Sequence, residues 1–344
     1  MLTVRKLTNT EFTEIADAHP DTFIPIEQSP EWDDYDYILG DRKLLGIYGY
    51  YQDNKLVATT RLTYFTLPMR NILLCVKGPV WFSKQTAERE KELVDTMKNH
   101  FTKVEKLKVT FIRMWLKKQV SGTNESFEPF LANKEIWVDI NPEKHPTEDD
   151  LLKVYNSSTR RKIRKCIRDG KVEIKEVSDL DERVKLFDAG LMEIMEETRD
   201  RNNFYAHPKE IYQATLKALP KHAKLWVAYI DHKPASWILT TEYHGFATYL
   251  FGAGNAEARK TNASYLLQFM AMRDLQTRGN TTYNLTGIES PEYPGLRSVT
   301  NFKRGFSKWE VELPLTYDVP ISVLKYQLAV KSLAASRKLK SLRG

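Results

Sequence analysis

The sequence predicts an α/β fold (of α+β character) with two domains, each a mixed sheet flanked by helices. Three observations predict it. The chain has 344 residues, about twice a typical domain of roughly 150. Helical periodicities and β-branched or aromatic strand runs are interspersed along its whole length. The order helices, hairpin, further strand, long helix, strand occurs twice with different residues, as an old duplication would leave it.

In the first half, Asn9–Ala18 and Ser29–Leu39 are expected as short helices, the second with Ser29 as N-cap and Pro30 as first helical residue. Lys43–Tyr51 and Leu56–Leu67 are strand runs joined at Asp53-Asn54, a hairpin signal. Asn71–Val80 reads as a further strand, Ser83–Val104 as a long amphipathic helix, and Lys108–Leu116 and Glu135–Ile140 as strands.

The second half opens with helices near Thr147–Arg168, Asp179–Thr198 and Pro208–Leu219. Strands follow at Ala223–Ile230, Pro234–Glu242 and Phe246–Gly252, the first two joined at Asp231-His232-Lys233. A helix over Asn262–Thr277 ends at Gly279, a natural stop. Thr281–Leu285 and Trp309–Leu315 are the last strands, and a helix from Ile321 to about Leu342 closes the chain.

The composition is globular, 42% hydrophobic and 28% charged with 15 Gly and 15 Pro, which excludes collagen-like and low-complexity chains. Cys75 and Cys166 are the two cysteines, too few for a disulfide scaffold or a cysteine zinc cluster. The seven histidines show no paired metal spacing. Neither metal nor other cofactor is expected. With no apolar run of spanning length and no leader-like start, the expected location is the cytoplasm.

The net charge of +7 is unevenly spread. Leu151–Arg168 carries seven Lys or Arg and no acid, and Lys325–Gly344 carries six and no acid. Two basic segments on a near-neutral body suggest anionic partners met at defined places, nucleic acid or a phospholipid surface.

On a helix Arg160, Arg164 and Arg168 stack at i, i+4, i+8, and Arg161 stacks with Lys165. Like charges at that spacing repel, and arginine forks suit phosphates. The plainer reading is a solvated helix face. Tyr249-Leu250-Phe251-Gly252-Ala253-Gly254 reads as a strand end presenting backbone N–H groups, though Glu257 stands where a dinucleotide fingerprint needs its third glycine. Asn301-Phe302-Lys303-Arg304-Gly305-Phe306 sets two cations between aromatics, either a site or a surface turn. Cys166 lies among cations, and buried packing is its expected role.

Six segments in order, Gln28-Ser29-Pro30-Glu31-Trp32, Gly78-Pro79-Val80, Trp137-Val138-Asp139-Ile140, Ser158 to Lys165, Tyr249 to Ala253 and Phe302-Lys303-Arg304-Gly305-Phe306, resemble the FemABX family, the Fem-type aminoacyl-tRNA-dependent peptidyltransferases of peptidoglycan bridge synthesis. The resemblance implies two GNAT-like acyltransferase domains. Domain 1 is expected over residues 1–145 with 316–344, the C-terminal helix returning to it, and domain 2 over 146–315.

The resemblance further implies an enzyme that moves an amino acid from aminoacyl-tRNA to the amine of a peptidoglycan precursor, lipid II or the UDP-linked pentapeptide. Lys303 matches the family's catalytic lysine, whose charge stabilises the oxyanion of the tetrahedral transition state. Tyr249 matches a tyrosine near the acceptor, with Phe302 beside the lysine. The stripe Arg160, Arg161, Arg164, Lys165 and Arg168 would bind tRNA.

The chain departs from the pattern at two acceptor positions. Asp36 stands where relatives commonly have lysine. His207 stands in the stretch where they have an arginine four residues before a tyrosine, with Ile211 at the tyrosine position and Tyr212 next to it. An acyltransferase with another donor, or a non-catalytic RNA-binding relative, would share the fold. Tyr249 in place of the Gln or Arg of coenzyme A loops argues against an acyl-CoA donor.

In the tail, Ile321, Leu324, Leu328, Val330, Leu333, Leu339 and Leu342 lie at roughly helical spacing and are expected to dock on the first domain. Its cations are either solvated or face anionic lipid at the inner face of the membrane. A monomer is expected.

Overall fold

Asp53 and Asn54 adopt φ of 48° and 63°, the left-handed pair of a type I′ turn whose twist matches a right-twisted hairpin. In the computed structural model this turn joins β2 (Arg42–Gln52) to β3 (Lys55–Leu67). The structure describes residues 2–67, 70–127, 132–202, 204–291 and 296–341. The chain divides into two units, Met1–Leu131 with Pro314–Gly344, and Ala132–Leu313.

The first unit begins with β1 (Thr3–Leu7) and α1 (Asn9–Asp17), the helix closed by a Thr8–Glu11 capping box. The expected Ser29 helix splits into a 3₁₀ turn, Pro30–Trp32, and α2 (Asp33–Leu39). Ser29 is no side-chain cap, because its hydroxyl donates to the Ile26 carbonyl at 2.8 Å. After the hairpin come β4 (Arg70–Leu74), β5 (Val80–Trp81), α3 (Ala87–Asn99), β6 (Phe111–Leu116) and β7 (Asn124–Glu125).

The second unit starts with β8 (Lys134–Asp139). The single helix expected up to Arg168 is two, α4 (Glu148–Val154) and α5 (Ser157–Asp169). Tyr155 is extended between them, and the Asn156 side chain caps α5 by accepting the Thr159 N–H at 2.8 Å. Next are β9 (Val172–Val177), α6 (Leu180–Lys185), α7 (Met192–Asn202) and α8 (Lys209–Ala218). Then come β10 (Ala223–Ile230), β11 (Lys233–Tyr243) and β12 (Phe246–Gly254). The unit ends with α9 (Ala256–Thr261), α10 (Ala263–Thr277), β13 (Thr282–Gly287), α11 (Arg297–Lys303) and β14 (Trp309–Glu312).

The last strand expected at Trp309–Leu315 is thus two strands in two sheets. The chain returns to the first unit as β15 (Leu315–Pro320) and α12 (Val323–Ser341). Arg113 on β6 holds Asp318 on β15 with two bonds of 2.7 and 3.1 Å, and the Tyr326 hydroxyl of α12 donates to the same carboxylate at 3.2 Å.

The two sheets share one topology. The first runs β1-β2-β3-β4-β6-β15-β7, with β5 beside β3, and the second β14-β8-β13-β12-β11-β10-β9. In each, a hairpin and a further antiparallel strand meet one parallel neighbour, β4 with β6 and β12 with β13. The duplicated order expected from the sequence is therefore an α/β fold of two like mixed sheets flanked by helices.

In the second unit α10 packs Leu266, Phe269, Met272 and Leu275 on Ile136, Val138, Tyr283 and Leu285, with Ile163 and Cys166 of α5 closing the layer. Each such large side chain contributes about 1.5–3 kcal/mol on burial. In the first unit Leu93, Met97 and Phe101 cover Tyr48, Leu62, Leu73 and Ile112. Burial pushes the Cys166 thiol up to about 11, so it packs as a small apolar group and carries no thiolate at neutral pH.

On α12, Tyr326 and Ala329 are buried and Val330 packs beside Ile72 and Phe111. Leu324 and Leu328, expected to dock, are 76% and 67% exposed, because they lie on the opposite side of the helix from Tyr326. The side chains from Leu333 onward, and Leu342 altogether, lie outside the described residues. Among the described residues no helix is long and apolar enough to cross a membrane.

Candidate active site

Lys303 ends α11 and is 6% exposed. Its ammonium donates to the Gly287 carbonyl at 2.6 Å and to Thr286 Oγ1 at 3.2 Å. Both acceptors come from a bulge at the end of β13, where Asn284 pairs with Trp137 and Gly287 with Glu135, so β13 carries one residue more than β8. The bulge turns on Thr286 at φ 64°, a costly conformation for a β-branched residue and of the kind that clusters at functional sites. Asn284 holds it by accepting the Thr286 N–H at 2.6 Å. Gly287 is required for space, since a Cβ there would stand 2.8 Å from that of Ala132.

Burial pulls the Lys303 pKa down to about 8, partly opposed by the charge of Glu135. At neutral pH the ammonium is mostly charged. Among the described residues two of its three N–H bonds are used, which leaves the third to meet an anionic oxygen.

Beside this lysine, Phe302 lines a cavity of about 300 Å³ together with Tyr249, Gly252, Gly254, Tyr265 and Gln268. Lys303 itself is not in that lining. The Tyr249-to-Gly254 stretch is strand rather than loop, bulged where Leu239 faces Phe251 and Thr240 faces Tyr249. The bulge brings the Tyr249 hydroxyl over Gly252, where a Cβ would lie 2.5 Å from it. Burial pushes the Tyr249 pKa up to about 12, which keeps the phenol neutral and able to donate. Tyr265 stacks near Phe302 and Phe306 at 4.9 and 5.8 Å.

The basic helix α5 borders the same region. Arg160, Arg161, Arg164, Lys165 and Arg168 all line one groove of about 690 Å³ with Asn262, and Asn262 also lines the cavity. The sequence run holds no acid, yet the fold brings two to it, Asp149 at 2.9 Å from Arg164 and Asp169 at 3.8 Å from Lys165. Arg160 donates to the Tyr155 carbonyl at 2.6 Å. Among the described residues Arg161 and Arg168 have no such partner. Lys162 turns to Tyr265, donating to its hydroxyl at 2.8 Å.

The remaining expected residues lie apart from the cavity lining. His207 and Tyr212 pack on Phe251 at 5.5 and 5.0 Å. Desolvation holds the His207 imidazole below its usual pKa, and burial pushes the Tyr212 phenol up to about 12. Asp36 lies in the first unit, buried, accepting from Arg61 at 2.8 Å and Thr63 at 3.0 Å. Its carboxylate is committed to an internal ion pair.

Sequence reasoning missed Glu135, Asn284, Thr286, Lys162 and Tyr265. A signal existed for two of them, because Thr286-Gly287 closes a strand with no turn residue before it, and Tyr265 stands at helical spacing from Phe269, four residues on.

Residues 155–304 match the model of an acetyltransferase (GNAT) domain. Among curated proteins none matches the sequence. Among solved structures, FemX is similar at 16% identity and a TM-score of 0.76, covering 95% of this chain and 99% of FemX. A conserved protein of unknown function from Bacteroides thetaiotaomicron is similar at 9% identity and a TM-score of 0.53, covering 93% of this chain and 100% of its own. The chain therefore has the fold of FemX, and the stretch that matches the acetyltransferase (GNAT) domain model lies in its second unit.

Proposed function

We propose that the protein transfers an amino acid from aminoacyl-tRNA to the amine of a peptidoglycan precursor's stem peptide, building the interpeptide bridge. The precursor is lipid II or UDP-MurNAc-pentapeptide. The observation that carries this reading is the cradled ammonium of Lys303, buried, mostly charged at neutral pH and with one N–H unengaged among the described residues.

The acceptor nitrogen attacks the ester carbonyl carbon, and the carbonyl oxygen takes the negative charge. Lys303 stabilises that oxygen in a site where low dielectric strengthens the interaction. Collapse forms the amide and breaks the bond to the ribose oxygen of the terminal nucleotide, which takes a proton lost by the amine. No protein nucleophile is required, because the tRNA ester already activates the acyl group. Tyr249 and Phe302 shape the acceptor side, with His207 and Tyr212 behind them. The arginines of α5 meet phosphates of the tRNA.

The basic tail adds a membrane contact. Val323, Leu324 and Leu328 are exposed on α12 beside Lys325 and Lys331, an apolar and cationic combination suited to an anionic lipid surface. The protein works as a cytoplasmic monomer at the inner face of the membrane.

A second reading, an N-acyltransferase drawing on acyl-CoA, is favoured by the acetyltransferase match over residues 155–304. One experiment separates the two. Purified protein is incubated with each acceptor and either a mixed charged-tRNA pool or acetyl-CoA, and product masses are read. A product heavier by one amino-acid residue, formed only with charged tRNA, supports the proposal. Acetylation, or no product with charged tRNA, rejects it.

A further inference from the structure

We infer that Glu135 is the positioning residue of Lys303, holding both its cradle and its charge. This deepens the proposed function and rests on its assignment of Lys303.

Glu135 lies on β8, 3% exposed, with no ion-pair partner in direct contact among the described residues. A buried carboxylate is costly unless hydrogen bonds and a nearby cation compensate it. Its Oε2 accepts from Asn284 Nδ2 at 2.7 Å and from Trp137 Nε1 at 3.1 Å. The same Asn284 amide accepts the Thr286 N–H, which sets the left-handed bulge. Gly287, whose carbonyl takes the Lys303 ammonium, is the direct cross-strand partner of Glu135. One contiguous chain of bonds thus runs from the carboxylate through Asn284 to both acceptors of the lysine.

Among the described residues, the other charged groups around Lys303 are engaged elsewhere. On the loop before α11 Glu289 pairs with Arg297 at 3.3 Å, and after it Arg304 pairs with Glu310 of β14 at 2.7 Å. Lys134 of β8 pairs with Glu312 at 3.2 Å, and on β13 Tyr283 donates to Gln268 at 2.7 Å. Among the described residues Glu135 is left as the counter-charge of Lys303, in line with its opposing effect on the lysine's depressed pKa.

The test uses the full chain with Glu135→Gln, which keeps the shape and removes the charge, and Glu135→Asp, which keeps the charge. Two readouts are taken against pH. The first is kcat/KM, and the second is the rate at which acetic anhydride labels Lys303, followed by peptide mass. With Glu135→Gln the labelling midpoint and the alkaline limb of kcat/KM both move down by roughly one pH unit. With Glu135→Asp they move by less in the same direction, so the inference survives a Gln variant that fails to fold. An unchanged labelling midpoint in the folded variants overturns it. A shifted labelling midpoint with an unmoved kcat/KM limb keeps Glu135 as the lysine's partner and rejects the catalytic assignment of Lys303 instead.

Discussion

The backbone N–H of Asn156 donates to the carbonyl oxygen of Gly305 at 3.0 Å. This bond stitches the start of the basic helix to the segment that follows Lys303. Thr159 packs so closely on Gly305 that any Cβ there would run into its hydroxyl, and Tyr155 meets Phe306 at 5.2 Å. The basic helix α5 and the lysine are therefore parts of one packed body, so that on the proposed function a substrate held by the first is registered against the second.

On the proposed function the lysine's titration sets the pH dependence of transfer. Lys303 is depressed to about 8, so its cation is present below that pH and lost above it. The account predicts kcat/KM falling as pH rises through about 8. Lys303→Arg keeps its charge throughout this range, so its residual activity should show no such limb. A limb of the same midpoint in the arginine variant would remove Lys303 as its origin.

The basic helix separates into anchored and unanchored cations. Arg161→Ala with Arg168→Ala removes the two that have no described partner, leaving those held by Tyr155, Asp149 and Asp169. The slope of log tRNA affinity against log salt should flatten by roughly 0.7–0.9 per lost contact. Thermal stability should hold, since like-charge repulsion is also relieved. Filter binding across a salt series reads the slope, and an unaltered slope returns these arginines to an ordinary solvated face.

Gly252 leaves room for the Tyr249 ring. Gly252→Ala should displace that ring, raise KM for the acceptor several-fold and lower stability by about 1–3 kcal/mol as an overpacked site does. Tyr249→Ala should lose activity alone. Combined, the two should cost less than their sum, because the clash with the ring is gone and only the 2.9 Å approach to the Trp237 carbonyl remains. Strict additivity in a double-mutant cycle counts against the close approach.

Deleting residues 337–344 removes four of the six tail cations. Folding and transfer to the UDP-linked acceptor should be unchanged, and co-sedimentation with anionic vesicles should fall, at about 1 kcal/mol per cation near the surface. If the intact protein fails to co-sediment at low salt, the lipid contact is wrong and the soluble acceptor is favoured.

The strong elements were legible in the sequence, and the edges were not. Asp53-Asn54 and Asp231-His232 announce their hairpins because both residues of each turn take positive φ, a demand only a few residue types meet. Thr3–Leu7 and Val172–Val177 escaped because they are edge strands rich in charged residues, Arg5 and Lys6 in the first and Glu173, Lys175 and Glu176 in the second, where charge masks the alternation. Leu315–Pro320 escaped because Asp318 interrupts its apolar run, and the Arg113 that neutralises it is 205 positions away.

At the site, Lys303 is visible in its aromatic frame, but its cradle is not. Glu135 and Asn284 lie 149 positions apart and meet only through strand register. Leu324 and Leu328 fit a helical stripe by spacing alone, yet only contact with the sheet decides which stripe docks.

The most direct test is the single-turnover rate of aminoacyl transfer by the native protein and by Lys303→Met, at saturating charged tRNA and acceptor. The account predicts a fall of about 100-fold or more with tRNA affinity changed little, the signature of an interaction made only in the transition state. Near-normal turnover in the methionine variant, or equal loss of binding and rate, would contradict it.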